Sequence, residues 1–139
     1  MADNIERIIG EIETKLKLLP TLFLERASLR TEEKISEVFK TEGRALNVEW
    51  SPLKEAYLRW KIKKGFSEKK LHRTTTLAQS FTSRVEGLQA IIGTPVPYSI
   101  YHEYGTKRMP ARPFIKPVAQ YMVERGLRQV FTEVFKEVL

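Results

Sequence analysis

The chain has 139 residues, seven prolines, two histidines, no cysteine and a net charge of +7. This length fits one domain spanning 1–139 with its own core. The missing cysteines exclude disulfides, thiolate metal sites and cysteine catalysis, and no apolar run approaches the roughly 20 residues of a membrane span.

The acidic, periodic start MADNIERIIGEIE is unlike a signal peptide. Ile5, Ile8, Ile9, Ile12, Leu16 and Leu19 recur at helical spacing, which predicts an amphipathic helix that Asp3 or Asn4 caps and Pro20 ends or kinks. A second periodic run carries Leu22, Phe23, Ala27, Ile35, Val38 and Phe39, and Thr31 offers a fresh helix start inside it. Gly43 is the natural stop. Residues 1–43 thus form an N-terminal helical part.

Loose alternation of Ala45, Leu46, Val48 and Trp50 predicts a short edge strand or an extended connector. Ser51 and Pro52 are a helix-entry signal. Leu53, Ala56, Tyr57 and Trp60 then share a face, and Gly65 ends the helix. From Lys54 to Arg73 there are eight basic and two acidic residues. Arg59, Lys61, Lys63, Lys64, Lys69, Lys70 and Arg73 read either as a solvated face with snorkelling stems or, interleaved with Tyr57, Trp60 and Phe66, as a nucleic-acid contact. Thr74, Thr75 or Thr76 caps a short helix with Leu77 and Ser80. The 81–85 and 88–92 runs, joined at Glu86-Gly87, predict a β-hairpin at the centre of a small antiparallel sheet.

Five of the seven prolines fall between Ile91 and Pro117. Pro97 and Gly105 bracket one short helix, along which Tyr98, Tyr101 and Tyr104 recur every third residue as either a core edge or a binding platform. An extended loop should follow, carrying Lys107, Arg108, Arg112 and Lys116 with no acid, and its 112–115 portion offers another short strand. Such a stiff, basic, aromatic-flanked loop suits an interface better than a catalytic pocket. Pro117 starts the last helix, whose stripe is Val118, Tyr121, Met122, Val130, Phe131, Val134, Phe135 and Val138. Gly126 marks a bend or a close approach in it. The fold class expected is α+β, a small antiparallel sheet packed against long N- and C-terminal amphipathic helices.

The seven glycines are scattered and form no phosphate loop. His102 and Glu103 are chain neighbours, and adjacent helical residues point apart, so they do not make a direct acid–base pair. Ser80 and Ser99 lack a nucleophile-elbow context. No enzyme, cofactor, metal or small-molecule substrate is expected.

Trp50-Ser-Pro-Leu53, the lysine-rich run to Gly65, Leu71-His-Arg-Thr74, Tyr101-His-Glu-Tyr-Gly-Thr106 and Met109-Pro-Ala-Arg-Pro-Phe114 occur in one order. Over roughly Phe39 to Pro117 this resembles the virion morphogenesis, or tail completion, proteins of tailed phages and prophages. The family often has glycine where Thr75 stands here. The resemblance implies a structural protein that completes the tail or neck so that head and tail join, working as a homo-oligomeric ring around the DNA channel. It implies other tail, neck or connector proteins as partners, packaged DNA nearby, and a location in the virion after assembly in the host cytoplasm. On that reading Tyr98, Tyr101, Tyr104, Lys107, Arg108, Met109, Arg112 and Phe114 form a protein interface. Phe114 is its apolar anchor, and Arg112 is either its charge partner or an internal lock.

Overall fold

A computed structural model describes residues 2–65 and 76–139 of the chain. The expected cap at Thr74 or Thr75 and the cations Lys69, Lys70 and Arg73 lie outside the described residues.

The first element is one helix of 40 residues, α1 (Ala2–Thr41), with Pro20 inside it. At 1.5 Å per residue it is about 60 Å long. Pro20 does not end the helix, and no fresh start occurs at Thr31. A proline deletes one hydrogen bond and crowds the preceding turn, and the turns after it are fixed by packing: Ala27, Ile35, Val38 and Phe39 are all buried in the core. Thr31 spends its hydroxyl on the carbonyl of Ala27, 2.7 Å away in the preceding turn, and so caps nothing. The helix ends where the sequence says it should. Glu42 and Gly43 take positive φ, and the Gly43 N–H donates to the Val38 carbonyl at 2.9 Å, closing a Schellman motif. A Cβ on Gly43 would stand 1.6 Å from the Val48 carbonyl oxygen, so only glycine fits.

Of the two readings of 44–50 the strand does not form: a 3-10 turn, Arg44–Leu46, and an irregular connector carry Trp50 into the core. Helix α2 (Glu55–Lys63) begins with Lys54 at its N-cap, three residues after the Ser51-Pro52 signal. Carbonyls of both those residues are used elsewhere, as described below. Gly65, at φ 78°, follows the end of α2 as expected. Helix α3 (Thr76–Gln79) buries Leu77.

The hairpin forms one residue later than predicted. Strands β1 (Thr82–Glu86) and β2 (Gln89–Gly93) pair antiparallel, with Ser83 opposite Ile92 and Val85 opposite Ala90 on the inner face. The two turn residues are Gly87 and Leu88, and Gly87 supplies the positive φ, 57°, that such turns need. Among the described residues the sheet has two strands. The 112–115 segment adds no third one, because its backbone donors are committed to other acceptors.

After helix α4 (Ser99–Tyr104) and a loop, the chain enters α5 (Ile115–Tyr121), passes through a π-helical turn (Met122–Gly126) and ends in α6 (Leu127–Val138). The last helix therefore starts two residues before Pro117. The π turn has a geometric purpose. Val118, Met122, Gly126, Val130 and Val134 are spaced by four and all are buried. In a 3.6-residue helix a row spaced by four drifts about 40° per step. One wider turn takes back part of the drift and keeps both ends of the row facing α1. Gly126 permits it: a Cβ there would lie 2.5 Å from the Met122 sulfur and 2.9 Å from the Tyr121 ring.

Antiparallel packing of α6 on α1 is pinned by paired charges and rings. Arg26 donates to both carboxylate oxygens of Glu137 at 3.0 and 2.8 Å, and Arg30 to both of Glu133 at 3.0 and 2.9 Å. Phe23 meets Phe131 edge-on at 5.9 Å, and the Lys34 ammonium lies 4.7 Å from the Tyr121 ring centre. The architecture is α+β: a two-stranded sheet with long N- and C-terminal helices.

Candidate assembly face

Helix α4 and the loop after it form one hydrogen-bonded unit. Gly105 terminates α4 with its N–H on the Tyr101 carbonyl at 2.9 Å. Its φ of 77° and ψ of 173° are open only to glycine. A Cβ there would also stand 2.7 Å from the Ala111 nitrogen, so glycine is needed twice over. The loop closes on itself where Thr106 and Met109 exchange N–H···O=C bonds of 2.8 and 3.3 Å. Lys107 and Arg108 form the tip, so the expected extended run begins only after Met109. The Arg112 N–H then donates to the His102 carbonyl at 2.7 Å, folding the loop back onto α4.

Glu103 holds the other end. Its Oε2 accepts the N–H groups of Phe114 and Ile115 at 2.9 and 3.0 Å, and its Oε1 accepts that of Lys116 at 2.9 Å. These are orphan donors at the start of α5, and the next residue, Pro117, has no N–H to satisfy. A carboxylate from α4 thus caps the C-terminal helical segment, where helix-end charge also favours an anion.

Arg112 and Phe114 point inward, so Phe114 is not the outward anchor expected and Arg112 takes the internal one of its two expected roles. Phe114 is fully buried, with its ring centre 5.1 Å from Phe39 and 5.5 Å from Phe81. Arg112 is 6% exposed. Its Nε donates to the Ser51 carbonyl at 3.0 Å and an Nη to that of Pro52 at 3.2 Å. It is an internal lock, as one alternative held, but among the described residues it is built on carbonyls and not on the expected salt bridge. Burial pushes its pKa down, while Glu42 and then Tyr57 oppose this. Trp50 completes the clamp by donating its indole N–H to the Pro113 carbonyl at 2.8 Å. The physical reason for the inversion is that the partners lie on the inner side: the Trp50 indole N–H, the Ser51 and Pro52 backbone carbonyls and the Glu103 carboxylate supply the bonds that fix the loop.

The opposite side of the unit faces solvent. Tyr101 and Tyr104 are 55% and 78% exposed, and Lys107 and Arg108 are exposed. Of the two readings of the tyrosine row, the surface one holds for these two. Tyr98, less exposed, packs edge-on against His102 at 5.8 Å.

Beside this ridge lies a cleft of about 650 Å³ walled by Leu53, Tyr57, Leu77, Tyr98, Met109 and Pro110, with Lys54, Lys61, His102, Arg108 and Arg112 around it. No carboxylate lines it among the described residues. His102 is pushed down in pKa by burial first and by Arg112 second, and its Nδ1 is buried without a hydrogen-bond partner among the described residues.

The basic helix is split by the fold. Arg59, Lys63 and Lys64 are exposed, beside Tyr57 and Trp60 stacked at 5.7 Å. Lys61 is not on that face: it is 1% exposed, with its ammonium 5.9 Å from the Tyr57 ring centre. Its long apolar stem lets it sit in the core wall, which removes it from any nucleic-acid contact.

Sequence reasoning missed Glu103 as a cap and Trp50 as a hydrogen-bond donor. The signal for the first was an acid just before a glycine stop, followed by a new helix start within reach.

A sequence profile of the phage virion morphogenesis family matches residues 23–131. The uncharacterized protein MJ0331 of Methanocaldococcus jannaschii is 33% identical over 95 residues, 64% of this chain and 70% of that protein. No solved structure matches the chain.

Proposed function

Because the chain belongs to the phage virion morphogenesis family, with a part in building the phage particle alongside other phage proteins, we propose that it completes the tail or neck and supports head–tail joining, as one of several copies in a ring. The observation that carries this is the two-sided construction of the 101–114 unit. Glu103, Arg112, Phe114 and Trp50 fix the loop from inside, and Tyr101, Tyr104, Lys107 and Arg108 are held outward on it. A surface fixed in advance loses little entropy on docking, and tyrosine and arginine are favoured anchors. Closed rings need two different patches per subunit, and this ridge supplies one.

The test is a phage carrying Tyr101→Ala, Tyr104→Ala and Arg108→Ala together, viewed by electron microscopy. Filled heads beside unjoined or overlong tails are expected. Normal particles built with the folded triple variant would refute the role of this ridge.

A second reading, nucleic-acid binding, keeps support from Arg59, Lys63 and Lys64 beside the Tyr57–Trp60 stack. It requires DNA affinity that falls steeply with salt, and absence of binding at low salt removes it.

A further inference from the structure

Residues 3–18 of α1 are exposed without exception. They form an arm beyond the body: the last ion pair between α6 and α1 is at Arg26, and α6 stops at Val138. The arm also precedes the family match, which begins at residue 23. Yet it carries a row of large apolar side chains, with Ile5 59%, Ile8 49%, Ile12 42% and Leu16 46% exposed. A helix of this length has little stability alone in water, and a continuous apolar stripe of this kind marks a contact.

The stripe is self-complementary. Ile5, Ile8, Ile12, Leu16 and Leu19 are separated by three, four, four and three residues, a pattern that reads the same in both directions about Ile12. If two arms cross antiparallel with a two-fold axis at Ile12, Ile8 of one faces Leu16 of the other, and Ile5 faces Leu19 where the arm meets the body and Leu19 already packs in part on the core. Most of the charges fit the same symmetry: Asp3, Glu6 and Glu11 precede Ile12 and Lys15 and Lys17 follow it, while Arg7 and Glu13 depart from the pattern. In that pairing Glu6 comes beside Lys17 of the other copy on one flank and Glu11 beside Lys15 on the other flank. Glu11 is held only loosely within its own helix, 4.0 Å from Arg7. Antiparallel helix dipoles add to the fit.

We infer that the N-terminal arm is a dimerisation element, which pairs antiparallel with the arm of a second copy of this chain about a two-fold axis at Ile12. Such an isologous contact differs in kind from the ring contact proposed above, and does not rest on it.

The chain lacks cysteine, so a single introduced thiol reports the geometry. Ile12→Cys in the full chain should form a covalent dimer on mild oxidation. Ile5→Cys alone should not, whereas Ile5→Cys mixed with Leu19→Cys should. Light scattering should show a dimer for the native chain and a monomer for Lys15→Glu/Lys17→Glu, with dimer restored by adding Glu6→Lys and Glu11→Lys. A monomeric native chain overturns the inference. Equal cross-linking of Ile5→Cys and Ile12→Cys, the parallel result, overturns it too. The Tyr101/Tyr104/Arg108 variant should remain dimeric, which separates failure of the arm from failure of the ridge.

Discussion

Glu103 and Tyr104 are adjacent in α4, and the fold uses them in opposite ways. The carboxylate of Glu103 is consumed by three backbone N–H groups of the next helix. Tyr104 makes up part of an open ridge at 78% exposure. The same division runs through the whole segment: Arg112 and Phe114 face in, Lys107 and Arg108 face out. The lesson is that the stiffness of the loop and the chemistry it presents are carried by different residues, so they can be damaged separately.

The largest effect should come from the inward half. Phe114→Ala removes a fully buried ring between Phe39 and Phe81, and about 3–5 kcal/mol of stability should go with it. Urea unfolding measures this directly. A loss under about 1 kcal/mol would mean that the aromatic cluster is not the centre of the core.

Glu103→Gln should cost less, about 1–2 kcal/mol, because one acceptor oxygen becomes a donor and faces orphan N–H groups. Hydrogen exchange at the amides of Ile115 and Lys116 should quicken by more than at Val130. Uniform change across the chain would show that Glu103 does not cap α5.

The helices and the hairpin were legible in the sequence because period and punctuation are local properties. Gly43, Gly65, Gly87 and Gly105 all sit at positive φ, and each was readable as a stop or a turn. Pro20 does not end its helix, since a proline predicts a strained turn and not what the flanking packing does with it. The inward turn of Phe114 was not legible, and for Arg112 an internal lock was one reading but its acceptors were not legible. A basic, proline-rich stretch gives no sign that carbonyls of Ser51 and Pro52, some sixty residues earlier, await its guanidinium. Burial of Lys61 was hidden for the same reason, as its neighbours Arg59, Lys63 and Lys64 are exposed. Long-range hydrogen bonds leave no periodic trace.

His102 lies between the two halves and gives a pH-dependent prediction. Its pKa in the folded chain is lowered by burial and by Arg112, so the unfolded chain binds its proton more readily. Stability is then full above the ordinary histidine value of about 6.5 and declines as pH falls from there toward the lower folded value. Melting temperatures followed downward from neutral pH should show this decline, and His102→Phe should flatten it. An unchanged slope in the variant would assign the pH dependence to another group.

The smallest effect on stability belongs to the outward half. Tyr101→Ala and Tyr104→Ala remove exposed rings that no buried group depends on, so each should leave the unfolding free energy within about 0.5 kcal/mol of the native chain. That near-silence sharpens the contrast with Phe114→Ala. If Tyr104→Ala unfolds the chain as readily, the ridge is part of the core and the two-sided reading fails. If it leaves the fold intact while particle assembly stops, then the exposed ring acts on another polypeptide, and what Glu103 and Arg112 hold in place is a docking surface.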